Sequence, residues 1–228
     1  MVVAASGFKA FEGQFTQVPT LVASAHGIVL EVGPGVGTQL DRFDKTKIEH
    51  VYGIELNPAF VPSLLAEVEK SSLQGKYTVI SGSVEDAKLL AQHGVAPGTV
   101  DSVVCIGTLC SVQNPAATVK WIYELLKPGG SFIFWEHRRS HDFVTRLVQG
   151  QCSHLVESEY VPDVGAGFWN PIWRYFMGGC DLRRLNGDAI KNAGAWEQQD
   201  SDFGASKSVA QEWSIMPRVE GILTKKKI

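Results

Sequence analysis

Short apolar runs bounded by glycine, proline and small polar residues alternate along this chain with segments whose apolar positions recur every three or four residues. The runs at 28–32, 51–56, 77–81, 100–106 and 131–136 have the length and β-branched content of buried strands. The 100–106 run, Val-Asp-Ser-Val-Val-Cys-Ile, is almost wholly apolar, as expected of a central strand of a parallel sheet covered on both faces. Between the runs, helical spacing is carried by Leu40 and Phe43, by a segment opening at Asn57-Pro58, and by Val119, Ile122, Leu125 and Leu126 after Asn114-Pro115. Ahead of the first strand, Phe8, Phe11, Phe15, Val18, Leu21 and Val22 predict helical segments interrupted at Pro19. The tail predicts a helix over 186–193, a strand over 196–203 and a closing strand over 219–224.

Strands alternating with helices define an α/β chain, and its 228 residues fit one domain. A net charge of -3 gives no general attraction to nucleic acid, and Lys225-Lys226-Lys227 is expected to be a solvated basic end. The four cysteines (Cys105, Cys110, Cys152 and Cys180) form no C-x-x-C pair or zinc-ribbon spacing, which predicts thiols in a reducing, cytoplasmic compartment. His137, His141 and His154 likewise lack metal-ligand spacing, so no metal is expected. No apolar run approaches the roughly 20 residues needed to span a bilayer, so no integral membrane segment is expected.

The candidate chemistry begins at Glu31-Val32-Gly33-Pro34-Gly35-Val36-Gly37, directly after the first strand. A dinucleotide fingerprint sets its third glycine three residues after the second, but here Thr38 occupies that position and Gly33, Gly35 and Gly37 are two apart. With no pyrophosphate to hold, these glycines are expected to serve close approach of backbone to a ligand. Glu55 ends the second strand 22 positions beyond Gly33, where a doubly wound fold places a carboxylate for ribose hydroxyls. Ser83-Val84-Glu85-Asp86 has the form of a capping box after the third strand. Cys105, Ile106 and Leu109, at the end of the fourth strand, are expected to wall a pocket, because ligands in open α/β sheets lie outside the carboxyl ends of the strands.

The E-x-G-x-G-x-G pattern resembles the first motif of the S-adenosylmethionine-dependent methyltransferases. The later segment Leu-Leu-Lys-Pro-Gly-Gly-Ser-Phe-Ile-Phe agrees with it. More narrowly, Leu109-Cys110-Ser111-Val112, Glu136-His137 and the stretch Trp173 to Leu182 resemble the methyltransferase-like thiol methyltransferases of animals and, more distantly, the ubiquinone and menaquinone methyltransferases. The resemblance implies a Rossmann-like, doubly wound, seven-stranded, mostly parallel sheet with an antiparallel last strand, in three αβα layers. It implies S-adenosyl-L-methionine as cofactor and methyl transfer to a small hydrophobic thiol or hydroxyl acceptor. The alternative is a protein that keeps the fold as a non-methylating binding or regulatory subunit. By resemblance, Gly33, Gly35 and Gly37 contact the methionine portion and Glu31 faces its ammonium directly or through water. Glu55 takes the ribose, Leu56 and Val84 sandwich the adenine, and Ser83 adds a polar contact.

Residues 1–26 are then a leading helical segment that either covers the cofactor as a lid or packs on the sheet, and residues 137–185 an insert that builds the acceptor pocket. The insert is aromatic-rich, and Trp169 and Trp173 are candidate substrate contacts beside Leu109. His137, at the carboxyl end of the fifth strand, either acts as the general base or shapes the pocket.

Overall fold

The computed structural model describes residues 2–137, 175, 179–181, 184–197 and 218–227. Six strands form one sheet in the order β3-β2-β1-β4-β5-β6, comprising β1 (Gly27–Val32), β2 (Ile48–Glu55), β3 (Tyr77–Ser81), β4 (Val100–Ile106), β5 (Leu126–His137) and β6 (Arg218–Thr224). All neighbours are parallel except β5 and β6. The sheet is the doubly wound, mostly parallel one expected, with an antiparallel last strand. Its strand count among the described residues is six rather than seven. The strand expected from Trp196 contributes one isolated antiparallel bridge, Trp196 to Lys225, and its continuation from 198 lies outside the described residues.

Period-two alternation sorts the strand side chains onto two faces. Leu30, Ile54, Val103, Phe132 and Phe134 face one way and pack with Leu90 of α4 (Ala87–Gln92), Val119, Ile122 and Leu125 of α5 (Pro115–Leu125) and Ile190 of α6 (Asn186–Lys191). Val29, Val51, Val104, Ile133 and Trp135 face the other way, onto Val18, Leu21 and Val22 of α2 (Val18–Ala23) and Leu64 and Val68 of α3 (Val61–Lys70). Both faces are therefore covered, which is why these strands are nearly uninterrupted hydrophobic sequence. Each fully buried ring on β5 contributes about 1.5–3 kcal/mol of transfer free energy.

The helix boundaries depart from the periodic pattern where local chemistry intervenes. The leading segment breaks at 16–17, between α1 (Val2–Phe15) and α2, and Pro19 sits in the first turn of α2, where a missing N–H costs no hydrogen bond. Asn57 is not a helix cap: its Oδ1 accepts the Ala59 N–H in a local turn, and α3 begins at Val61 with Pro62 in its first turn. Asp86, rather than Ser83, caps α4, accepting the N–H groups of Lys88 and Leu89. Asn114 caps α5 as expected, through the Ala117 N–H. Leu40 and Phe43 continue no full helix. A single 3-10 turn, Leu40–Arg42, follows the glycine loop, and it is tied to α1 by the buried Arg42–Glu12 ion pair at 2.6 Å. Among the described residues no helix is long and apolar enough to cross a membrane.

The two sides of β5 and β6 should respond differently to truncation. Phe132→Ala, in the closed core, is expected to destabilise by about 3–5 kcal/mol. Ile222→Ala, at a 41% exposed position on β6, is expected to cost under about 1 kcal/mol. Urea unfolding followed by circular dichroism measures both.

Candidate active site

The chain leaves β1 for β2 on one side and returns through β4 on the other, so the carboxyl ends of β1 and β4 flank the point where strand order reverses. Ligands of open α/β sheets bind there. The glycine loop fills the β1 side with three residues of positive φ: Gly33 (+69°), Gly35 (+60°) and Gly37 (+86°). They serve different ends. A Cβ at Gly33 would stand 2.7 Å from the Thr108 side chain, and one at Gly37 would stand 2.8 Å from Leu40 Cδ1 and 3.2 Å from Leu64 Cδ1, so both glycines are required by the protein's own packing. At Gly35 a Cβ would meet no described residue within 4 Å, and the same holds for Gly107 (φ +66°) at the end of β4. These two positions leave bare backbone beside open space.

Glu55 holds the loop. Its Oε2 accepts the Gly35 N–H at 2.8 Å and its Oε1 accepts the Asn57 N–H at 2.8 Å, while the Gly33 N–H donates to the Ile54 carbonyl at 2.9 Å. A carboxylate oxygen accepts two hydrogen bonds, so each keeps one lone pair for a further donor. Leu56, the next residue, is 68% exposed. Ser83 Oγ accepts the Glu85 N–H, and Val84 belongs to the core, its carbonyl bonded to the Trp121 indole at 2.8 Å. The two residues expected to flank an adenine thus differ: Leu56 presents a surface and Val84 supports from beneath.

Glu31 lies under the loop rather than on it. Tyr77, on β3, crosses Gly53 on β2 and donates its hydroxyl to Glu31 Oε2 at 2.6 Å; a Cβ at Gly53 would overlap that hydroxyl. Burial is the main cause that pushes the Glu31 carboxyl up to about 7; the Tyr77 bond opposes the shift and the charge of Glu55 adds to it. Burial likewise raises the Tyr77 hydroxyl well above its usual value, so Tyr77 stays a donor. Glu136 plays the corresponding part under the β4 loop. It is fully buried, its Oε1 accepts the Thr108 N–H at 2.9 Å and the Cys105 thiol at 3.3 Å, and burial lifts it to about 8. Thr108 then donates to the Val32 carbonyl at 3.0 Å, joining the β1 and β4 loops.

Cys105 and Leu109 are fully buried, and Ile106 is partly so. His137 is 7% exposed and both ring nitrogens have neighbours: Nδ1 lies 3.6 Å from Cys180 Sγ, and Nε2 lies 3.4 Å from an Arg218 guanidinium nitrogen. Trp169 and Trp173, with Arg138, Arg139, His141 and His154, lie outside the described residues. The structure therefore gathers Gly35, Glu55, Leu56 and Gly107 along one edge, and sets His137 with Cys110 and Cys180. Motif reading missed Tyr77 and Thr108, which sit in ordinary strand and loop sequence. It counted Cys110 and Cys180 among four cysteines without metal-ligand spacing and met them again as parts of a resemblance.

Fold and site define a methyltransferase domain, and comparison with known proteins agrees. A family model described as a methyltransferase domain matches residues 15–186. Human thiol S-methyltransferase TMT1A is 31% identical over 170 residues, 72% of this chain and 58% of its own length. A ubiquinone biosynthesis O-methyltransferase from Xanthomonas campestris pv. campestris (strain B100) is 35% identical over 114 residues, 50% of this chain and 44% of its own length. The crystal structure of an S-adenosylmethionine-dependent methyltransferase from Mesorhizobium loti has the same fold, with a TM-score of 0.59 at 14% identity, covering 91% of this chain and 95% of that one. This chain belongs to the S-adenosylmethionine-dependent methyltransferase family. It spans about three fifths of the length of the thiol-methylating relatives it matches.

The raised Glu31 carboxyl makes stability pH-dependent with a definite sign. The folded protein binds this proton more tightly than the unfolded chain, so the contribution is whole below the ordinary value of 4.5 and is lost as pH rises through about 7. Urea midpoints measured at pH 5 and pH 8 should fall with pH, and by less in Glu31→Gln, which keeps an acceptor for Tyr77 without the ionisation.

Proposed function

We propose that this chain transfers a methyl group to a small, largely hydrophobic acceptor, a thiol or a hydroxyl, at the carboxyl edge of β1, β2, β4 and β5. S-adenosyl-L-methionine supplies the methyl group and S-adenosylhomocysteine is the product. The observation that carries the reading is the pairing of open backbone at Gly35 and Gly107 with a Glu55 carboxylate that still has an acceptor position on each oxygen.

These residues fit the donor. Gly35 offers close approach for its methionine portion, and the two unused acceptor positions of Glu55 suit the vicinal hydroxyls of a ribose. Leu56 provides an exposed apolar surface for the adenine, with Ser83 as a polar neighbour. Glu31 contributes from below: engaged by Tyr77 and 2% exposed, it fixes the relation of β1 to β3 and leaves the loop's backbone to meet the ligand. Cys105 and Ile106 set the floor at the end of β4, and Leu109 closes the wall beyond it.

On the acceptor side, Trp169 and Trp173 are taken as substrate contacts and residues 137–185 as the pocket insert. The aromatic residues of that stretch suit a small hydrophobic acceptor. A net charge of -3 favours a small molecule over nucleic acid. The likeness to thiol-methylating relatives supports ranking sulfur acceptors first. Catalysis in this reading is chiefly positioning, since two reactants held in line lose little further entropy on the way to reaction. His137, hemmed by Cys180 and Arg218, acts through that cluster rather than as a solvent-facing base.

Isothermal titration with S-adenosylmethionine and with S-adenosylhomocysteine tests the donor half. Glu55→Ala should weaken both by roughly 10- to 100-fold, the equivalent of about 1.5–3 kcal/mol for hydrogen bonds to a charged group. Absence of binding to the unmodified chain would overturn the reading. Methylated product from alkyl thiols, scored against phenols, tests the acceptor half.

A further inference from the structure

We propose that Cys110, His137 and Cys180 form a zinc site whose open position takes the sulfur of the acceptor. The site itself stands independently, while its use rests on the methyl-transfer reading above.

The two sulfurs and a ring nitrogen of His137 all lie within 4.8 Å of one another, and Cys180 Sγ is 3.6 Å from His137 Nδ1. Zinc bonds of about 2.3 Å to sulfur and 2.0–2.1 Å to nitrogen, set tetrahedrally, put sulfur and nitrogen about 3.6 Å apart and two sulfurs about 3.8 Å apart. The cluster already has that scale, and the side-chain shifts needed to close on an ion are of order 1 Å or less. Thiolate and imidazole donors select zinc over magnesium or calcium. Among the described residues the cluster offers three protein ligands, and three ligands with a fourth position left over is the pattern of a reactive zinc site rather than a closed structural one.

Separate elements fix each ligand. Cys110 sits in the β4 loop, where its carbonyl accepts the Asp181 N–H at 3.0 Å, so the segment carrying Cys180 is bonded directly to the loop carrying Cys110. His137 ends β5, paired across the ladder with Arg218 of β6, and its carbonyl accepts from Asn186 Nδ2 at 2.8 Å. All three ligands are buried, with 1%, 7% and 4% of their surfaces exposed. Such support holds donors in place without the metal.

Cys110 and Cys180 are thiols in contact, with no disulfide between them. Zinc replaces their protons, as it does at any thiolate site. With Nδ1 on the metal, the ring proton moves to Nε2, and the 3.4 Å contact with Arg218 is given up. That contact is already longer than a good hydrogen bond. Arg218 keeps its place over the Trp135 ring, 3.8 Å from the centroid, and its charge favours the nearby thiolates.

The cluster stands at the carboxyl ends of β4 and β5, on the same edge as the glycine loop. An acceptor R–SH loses its proton to solvent as its sulfur joins the zinc. A lone pair of that sulfur then forms the new S–CH3 bond while the carbon–sulfur bond of the sulfonium donor breaks, its electron pair remaining on the donor sulfur. The neutral thioether is a weaker ligand than a thiolate and leaves.

The test uses the full chain, reduced and stripped with a chelator, then titrated with Co2+ and back-titrated with Zn2+. Expected are one Co2+ per chain, the visible absorption of tetrahedral cobalt, thiolate-to-cobalt charge transfer in the near ultraviolet, and displacement by Zn2+. A small alkyl thiol should shift the cobalt spectrum. Cys110→Ser, Cys180→Ser and His137→Ala should each weaken Co2+ binding at least tenfold while retaining the circular dichroism of the unmodified chain. A chain that binds S-adenosylmethionine but takes up no cobalt, a cobalt signal that survives Cys180→Ser, or cysteines recovered as a Cys110–Cys180 disulfide would each overturn the zinc site and leave the methyl-transfer reading intact. Cobalt binding with no response to thiol would overturn the acceptor role alone. Loss of S-adenosylmethionine binding with the cobalt site present would instead overturn the methyl-transfer reading.

Discussion

The carboxylate of Glu55, accepting one backbone N–H from the glycine loop and another from Asn57, is the contact on which the shape of the glycine loop depends. A loop that offers bare backbone to a ligand has no side chains of its own to define its shape. Its conformation has to be imposed from outside, and a buried carboxylate is suited to the task because it accepts several strong hydrogen bonds in fixed directions. The same device recurs beneath β4, where Glu136 holds the Thr108 N–H, and Thr108 in turn reaches the end of β1.

These carboxylates carry a cost that the fold absorbs unequally. Glu31 and Glu136 are removed from water without a cationic partner within hydrogen-bond distance among the described residues, and burial drives both toward the protonated form. Tyr77 satisfies part of Glu31, and Gly53 makes room for it. Glu12, by contrast, is buried with a guanidinium, and the Arg42 pair fastens the leading helix to the turn after the glycine loop. Buried charge is thus concentrated around one edge of the sheet, where loops need fixed shapes. Elsewhere the interior on either face is mostly hydrocarbon, with the buried hydroxyls of Ser102 and Thr118 hydrogen-bonded within it.

The strands were readable because each is a local pattern. The ends of β3 and β4 fall where the apolar runs end, and the closing strand differs by one residue. Helix starts were less readable, since Asn57, Ser83 and Asp86 each satisfy a capping rule, and only the three-dimensional path shows which of them stands at a helix. The 3-10 turn in place of a first helix has the same origin: after Gly37 the chain is held down by Leu40 and Arg42, and local spacing carries no record of that.

By itself the sequence determined the class of fold, the glycine loop and the acidic residue beyond it, because burial on both faces and positive-φ backbone leave marks in neighbouring residues. Tertiary structure decided which glycines face open space and which make room for Thr108, Leu40 and Leu64, and it decided that Glu31 works from beneath the loop. It also brought Cys110, His137 and Cys180 together from a loop, a strand end and a distant segment, although no spacing along the chain suggests a metal. A ligand set is defined by distance in space. When its members arrive on separate elements, only the packing that closes the sheet can assemble them.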